Sequence, residues 1–245
     1  MSVLVEVCID SIESLPIAEK AGAGRIELCS SLATGGLTAS AGYMKQAARI
    51  SGIPVYGIIR PREGDFLYNS DDVEIMLADI HTAKQAGLNG VVIGALKADG
   101  RIDETVVADM VKAASGMGMT FHRAIDHCSA PFDALEFLMS HGVERVLTSG
   151  LAKRADEGIG TLKEMVAFTQ GRLSIMPGAG VSPDNAKRII EQTGVTEIHL
   201  SGKTVRNSLM SYRNEKATMG SGDSDFAITV TNPETIAQTI AAIRA

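Results

Sequence analysis

Short runs rich in β-branched residues alternate with longer stretches of helical period along the whole chain, and this alternation predicts eight strands. They are read near Val3 to Cys8, Arg25 to Cys29, Pro54 to Arg60, Gly90 to Ala95, Met119 to Ala124, Arg145 to Ser149, Leu173 to Pro177 and Glu197 to Ser201. Spread over 245 residues, each unit takes about 31 residues, the size of a βα unit. Between Asp71 and Ala86 the apolar residues Val73, Met76, Leu77 and Ile80 fall at i, i+3, i+4 and i+7, a stripe that one helix face turns to a sheet. Ser182-Pro183 and Asn232-Pro233 read as N-caps with proline at the first helical position. Gly22, Gly87, Gly142 and Gly194 each stand shortly before a strand, where glycine ends a helix in the left-handed region.

Parallel strands alternating with helices leave an open doubly wound sheet or a closed barrel. Eight units favour the barrel. The open dinucleotide-binding sheet needs a glycine-rich turn after its first strand, and Ile9-Asp10-Ser11-Ile12-Glu13 has no glycine. The expected fold is therefore an α/β, single-domain TIM (β/α)8 barrel over residues 1–245, with one irregularity. Residues 202–231 form a long polar stretch between the last strand and the last helix, containing Gly220, Ser221, Gly222 and Asp223. It reads as a loop that is a lid, an interface, a binding element or simply disordered.

Composition narrows the function. A formal net charge of −6 with no basic block makes nucleic acid an improbable partner. No secretory leader and no run of about 18 apolar residues is visible, so neither export nor a membrane partner is expected. Three widely spaced cysteines, Cys8, Cys29 and Cys128, do not make a disulfide framework and favour a reducing, cytoplasmic compartment. No P-loop, zincin, EF-hand or Ser-His-Asp pattern occurs, and no organic cofactor is indicated.

Barrel chemistry sits at the carboxyl ends of the strands. The first two strands end alike, Glu6-Val7-Cys8 and Glu27-Leu28-Cys29. With a side-chain period of two, each Glu shares a face with its Cys, so two thiols and two carboxylates should cluster at one mouth. Thiol ligands select soft metals, which makes Cys8 and Cys29 candidate Cu(I) ligands; alternatively both are buried small hydrophobes. Glu6 and Glu27 are candidates for acid/base work or for pairing with an arginine inside the barrel. Arg60 and Arg62 flank a tight turn and predict either an anionic ligand or internal salt bridges with Glu6, Glu27 or Asp65. His122, in Thr120-Phe121-His122-Arg123-Ala124, is the best general acid/base candidate, or else a satisfied core histidine. Gly178, Gly180 and Ser201 end strands seven and eight, where glycine-bearing loops of many barrels hold a phosphate, although a tight turn explains them equally.

Taken together, these strand endings resemble the CutC family, the copper homeostasis protein family. The shared blocks run from Glu6-Val7-Cys8 and Gly24 to Cys29 through Gly35-Gly36-Leu37-Thr38, Ile59-Arg60-Pro61-Arg62 and Gly64-Asp65-Phe66. They continue through Thr120 to Ala124, Arg145 to Gly150, Gly178-Ala179-Gly180-Val181, His199 with Ser201, and Tyr212-Arg213-Asn214. Ala39 and Ile125 depart from the family pattern, which has proline and often phenylalanine there. The resemblance implies a TIM barrel, a cytoplasmic protein that self-associates, with a dimer favoured, and copper handling through cysteines at Cys8 and Cys29. Two linear thiolates would leave Arg60, Arg62, Asp65 and His122 unused. The alternative is therefore an isomerase or lyase acting on a small phosphorylated or carboxylated substrate, with Arg60 and Arg62 on the anion and His122, Glu6 or Glu27 moving protons. A third reading is an inactive barrel that makes protein contacts through the 202–231 segment.

Overall fold

The computed structural model describes residues 3–214, 216, 217, 219 and 225–244. Eight parallel strands form one sheet: β1 (Leu4–Ile9), β2 (Arg25–Leu28), β3 (Val55–Ile58), β4 (Gly90–Ile93), β5 (Gly118–Phe121), β6 (Arg145–Thr148), β7 (Ser174–Pro177) and β8 (Glu197–Leu200). The order is β7-β6-β5-β4-β3-β2-β1-β8, and β7 packs beside β8, so the sheet curls into a nearly closed barrel. A helix follows each strand. In chain order they are α1 (Ser14–Lys20), α2 (Ala41–Ile50), α3 (Ser70–Ala86), α4 (Glu104–Ala113), α5 (Pro131–Ser140), α6 (Ile159–Thr169), α7 (Ala186–Thr193) and α8 (Pro233–Arg244). Each of the eight expected runs contains the greater part of one of these strands, and the boundaries differ by a few residues at most.

The helix signals meet mixed outcomes. Met76 and Ile80 are fully buried on α3, so the expected stripe does face the sheet. Gly87 and Gly194 close α3 and α7 at φ of 89° and 77°, in the left-handed region a Cβ would disfavour. Asn232 caps α8, accepting from the amide of Glu234 at 2.9 Å. Ser182-Pro183 does not start α7: residues 183–185 form a turn, and the helix begins three positions later at Ala186. Ser182 donates its amide to Asn185 Oδ1 at 2.9 Å, and that turn displaces the proline from the first helical position.

The strands are buried on both faces. Outward residues such as Val5, Val7 and Ile9 join the large aliphatic core under the helices. Inward residues are of two kinds. At the amino-terminal level, Arg25 pairs with Glu6 and Glu197, and Arg145 pairs with Glu144 and Glu197. Both guanidiniums lie over the Tyr56 ring, at 5.3 and 5.0 Å. Toward the carboxyl-terminal mouth the interior turns softer, and Cys8, Cys29, Tyr56, Ile58 and Val92 form a separate buried cluster.

The 202–231 segment is not a plain loop. It contains two antiparallel strands, β9 (Lys203–Asn207) and β10 (Ala227–Thr231), paired Lys203 to Thr231 and Asn207 to Ala227. Its base is tied to α1 and the residue before it, where Ser14 Oγ accepts the Thr231 amide at 3.0 Å and Glu13 pairs with Arg206 at 2.8 Å. Val205, Leu209, Met210 and Tyr212 on this arm are all exposed. Gly220, Ser221, Gly222 and Asp223 lie outside the described residues.

Candidate functional site

The carboxyl-terminal mouth opens into a cavity of about 530 Å³. Cys8, Glu27, Arg60, Phe66, His122, Gly180, His199 and Ser201 are among its lining residues. On one side the inward faces of three strands meet. Glu6 stands opposite His199 in the β1–β8 register and Cys8 opposite Glu27 in the β1–β2 register. Ligand atoms of Cys8, Glu27 and His199 lie within 4.8 Å of one another, and all three residues are buried. Cys29 sits behind them, fully buried, with its thiol donating toward Glu27 Oε2 at 3.6 Å. A Cβ on Gly36 would approach Cys29 Sγ to 3.2 Å, so that glycine lets the loop close over the thiol.

The electrostatics of this cluster are set by burial and by a few short contacts. Burial alone would raise the pKa of Glu6, but hydrogen bonds and charge from His199 and Arg25 outweigh it and hold the carboxyl at about 2. Glu6 Oε1 meets His199 Nδ1 at 2.8 Å, which fixes the ring and leaves Nε2 facing Glu27 at 3.7 Å. Burial opposes charge on His199, yet Cys8, Glu6 and Glu27 together push it well above the ordinary histidine range. Burial raises Glu27, and it raises both thiols, Cys29 most. The resting cluster therefore keeps its thiols protonated, and a metal must displace those protons to bind.

The opposite wall is built on β3 and β5. Arg60 is 6% exposed and donates to the carbonyls of Thr34, Gly36 and Gly64 at 3.0, 3.1 and 2.8 Å. Arg62, two residues on, faces outward and pairs with Asp65 at 3.0 Å and Asp72 at 3.2 Å, away from the cavity lining. The salt-bridge reading thus describes Arg62. Arg60 has no carboxylate partner among the described residues. His122 follows β5 and accepts the Ala124 amide on Nδ1 at 3.2 Å, which puts the proton of the neutral ring on Nε2. The ring lies against Gly94, where a Cβ would come within 2.4 Å of Cε1. Asp126 locks the turn that follows, accepting from Thr148 Oγ1 at 2.6 Å and pairing with Arg123.

Burial first, and the Arg60 charge second, push the His122 pKa down to about 3 from 6.5. The unfolded chain takes up this proton below pH 6.5, while the folded protein does not until about pH 3. The unfolded state therefore binds more protons in that window, and stability falls as pH drops through it, by up to about 1.4 kcal/mol per unit. Glu6, also held low, adds to the loss only below its ordinary 4.5. Urea unfolding of His122→Asn between pH 6.5 and 5 should show a slope flatter than wild type by about 1 kcal/mol per pH unit.

Gly180 lines the cavity at φ 74°, directly after Ala179 at φ 75°, a conformation rare for a residue with a side chain. Gly178 instead packs beneath the site, where a Cβ would meet Leu147 at 2.5 Å and His199 at 3.3 Å. Ser201 is on the lining after β8. Of the residues in the metal-capable cluster, His199 carries no ligand signal in its local sequence. Its signal is positional, since barrel closure sets the inward face of β8 against that of β1.

Fold and site define a (β/α)8 barrel whose mouth holds a buried thiol, imidazole and carboxylate beside a second thiol. The sequence profile described as "CutC family" matches residues 3–204. A CutC family protein of Photobacterium profundum is 56% identical over 245 residues, covering 100% of both chains. The chain belongs to the CutC family. A crystal structure from Streptococcus agalactiae, provisionally described as a copper homeostasis protein CutC, is 33% identical with a TM-score of 0.77, covering 80% of this chain and 97% of that one. A phosphoribosylanthranilate isomerase from Thermotoga maritima aligns with a TM-score of 0.59 at 13% identity, covering 99% of this chain and 98% of that one; the likeness is one of fold.

Proposed function

We propose that this protein binds Cu(I) in the mouth of the barrel and serves copper homeostasis. The observation that carries this reading is the buried meeting of Cys8, Glu27 and His199 within 4.8 Å, with the Cys29 thiol against Glu27. Thiolate and imidazole are soft or borderline donors and favour Cu(I) over hard, oxygen-seeking cations. Cys8 is the ligand reached from the cavity, and Cys29 and His199 complete a set of two sulfurs and one nitrogen. Glu27, raised by burial, is the acceptor for the proton that the Cys29 thiol gives up. No helix among the described residues is long and apolar enough to cross a membrane. The three free, buried cysteines suit a reducing compartment, and a cytoplasmic location is part of the same proposal.

Two sulfurs, an imidazole and a carboxylate also match the four-ligand preference of Zn(II), so zinc is the metal the test must separate. Reduced, metal-free protein is titrated anaerobically with Cu(I) against a chromogenic Cu(I) chelator, and in parallel with Zn(II) against a zinc indicator. One Cu(I) per chain, retained against the chelator and not displaced by zinc, is the expected result. Failure to hold Cu(I), or tighter binding of Zn(II), would overturn the reading.

A further inference from the structure

Three arginines are buried in the barrel, and they are not alike. Arg25 has Glu6 and Glu197, and Arg145 has Glu144 and Glu197. Arg60, 6% exposed, donates to neutral carbonyls and has the neutral Tyr68 hydroxyl beside it, while its Nε is buried without a well-formed hydrogen bond. A guanidinium does not give up its proton, so Arg60 carries a positive charge inside the protein with no counter-charge paired to it among the described residues. Such a charge calls for an anion from elsewhere.

A second donor points the same way. His122 is 4% exposed, and its Nε2, the protonated nitrogen of the ring, has no acceptor among the described residues. Arg60 and His122 flank one aromatic ring: Phe66 lies 5.3 Å from the Arg60 guanidinium carbon and 4.9 Å from the His122 ring centre. All three line the same cavity as Cys8 and His199. Among the described residues Glu27 is the one carboxylate on that lining, against Arg60, Arg123 and Lys203.

We propose that the cavity binds a small oxyanion-bearing metabolite, its phosphate or carboxylate oxygens taking hydrogen bonds from Arg60 Nε and His122 Nε2 beside Phe66 once a small side-chain shift brings these two covered nitrogens to the cavity wall. Arg60 supplies the charge-assisted bond and His122 a neutral one, a pairing that recognises an anionic oxygen. A volume of about 530 Å³ admits more than a bare ion, which makes the anion one end of a small molecule. This site does not depend on copper, because none of its donors belongs to the thiol cluster.

The test follows the two donor protons themselves. Uniformly ¹⁵N-labelled full-length protein, reduced and metal-free, is titrated with inorganic phosphate and separately with malonate, with chloride at matched ionic strength as the control. Saturable shifts of the Arg60 Nε–H and His122 Nε2–H resonances, absent with chloride, are expected. Tighter binding of phosphate indicates a phosphorylated metabolite, and tighter binding of malonate a carboxylated one. Arg60→Lys keeps the charge but loses Nε, and should weaken binding roughly 10- to 100-fold, as for a lost charged hydrogen bond. His122→Phe keeps an aromatic ring without the donor and provides the second variant should Arg60→Lys not fold. The protein is metal-free throughout, so anion binding is read whether or not the copper reading holds, which separates this inference from the copper site. Absence of saturable shifts at both donors, or wild-type affinity in the folded variants, would overturn it.

Discussion

Replacing Cys8 by serine should weaken Cu(I) binding by roughly 10³-fold, about 4 kcal/mol, while leaving the barrel folded. Cys8 is the thiol that lines the cavity, and its Sγ is the soft donor within 4.8 Å of both His199 and Glu27. A serine hydroxyl is a hard donor that stays protonated at neutral pH, so the variant replaces the best ligand with a poor one. The fold should tolerate the change because Cys8 is outside the main aliphatic core and a hydroxyl there finds Glu27 and His199 as partners. Chelator competition gives the affinity, and far-ultraviolet circular dichroism with a urea melt confirms the fold. Wild-type affinity in Cys8→Ser would remove Cys8 from the site.

Arg25→Met should be the most damaging single change to stability, costing about 3–5 kcal/mol. Its guanidinium bridges Glu6, which is fully buried, and Glu197, which is largely so. Removing the cation leaves Glu6 with His199 and Glu197 with Arg145 as their remaining partners, so the buried Glu6 is held ionised at a higher cost. Against a total stability of roughly 5–15 kcal/mol, such a loss is a large fraction. Urea denaturation of the metal-free protein measures it directly. The double variant Arg25→Met with Glu6→Gln should recover part of the loss, since it removes the fully buried Glu6 charge along with its arginine partner. A midpoint unchanged from wild type would show that the buried pair contributes nothing.

How much of this was legible in the sequence depends on how far along the chain the relevant contact reaches. The strands were legible because each is a short run with β-branched or other apolar residues set off by turn residues, and Glu6 with Cys8 and Glu27 with Cys29 share a face by the period of two alone. His199 as a partner for Cys8 was not, because its place opposite Glu6 follows from β8 closing against β1, a register between residues 193 apart in sequence. Arg60 and Arg62 look equivalent on paper. The chain turns after β3 so that the first is buried under the 34, 36 and 64 carbonyls and the second meets Asp65 and Asp72 outside. The hairpin was hidden for a different reason. Lys203 to Asn207 and Ala227 to Thr231 alternate as strands should, but the polar stretch between them dominates any window wide enough to contain both. At Ser182-Pro183 the local signal was real and the Asn185 side chain overrode it.

The central claim is that copper is held by sulfur and imidazole in the mouth of the barrel. X-ray absorption at the copper edge, on wild-type protein loaded anaerobically with one equivalent of Cu(I), reads the ligands directly. The account predicts a Cu(I) centre with two sulfur scatterers and one nitrogen of imidazole type, one sulfur being lost in Cys8→Ser. A shell of oxygen and nitrogen without sulfur, or one that Cys8→Ser leaves unchanged, would contradict it.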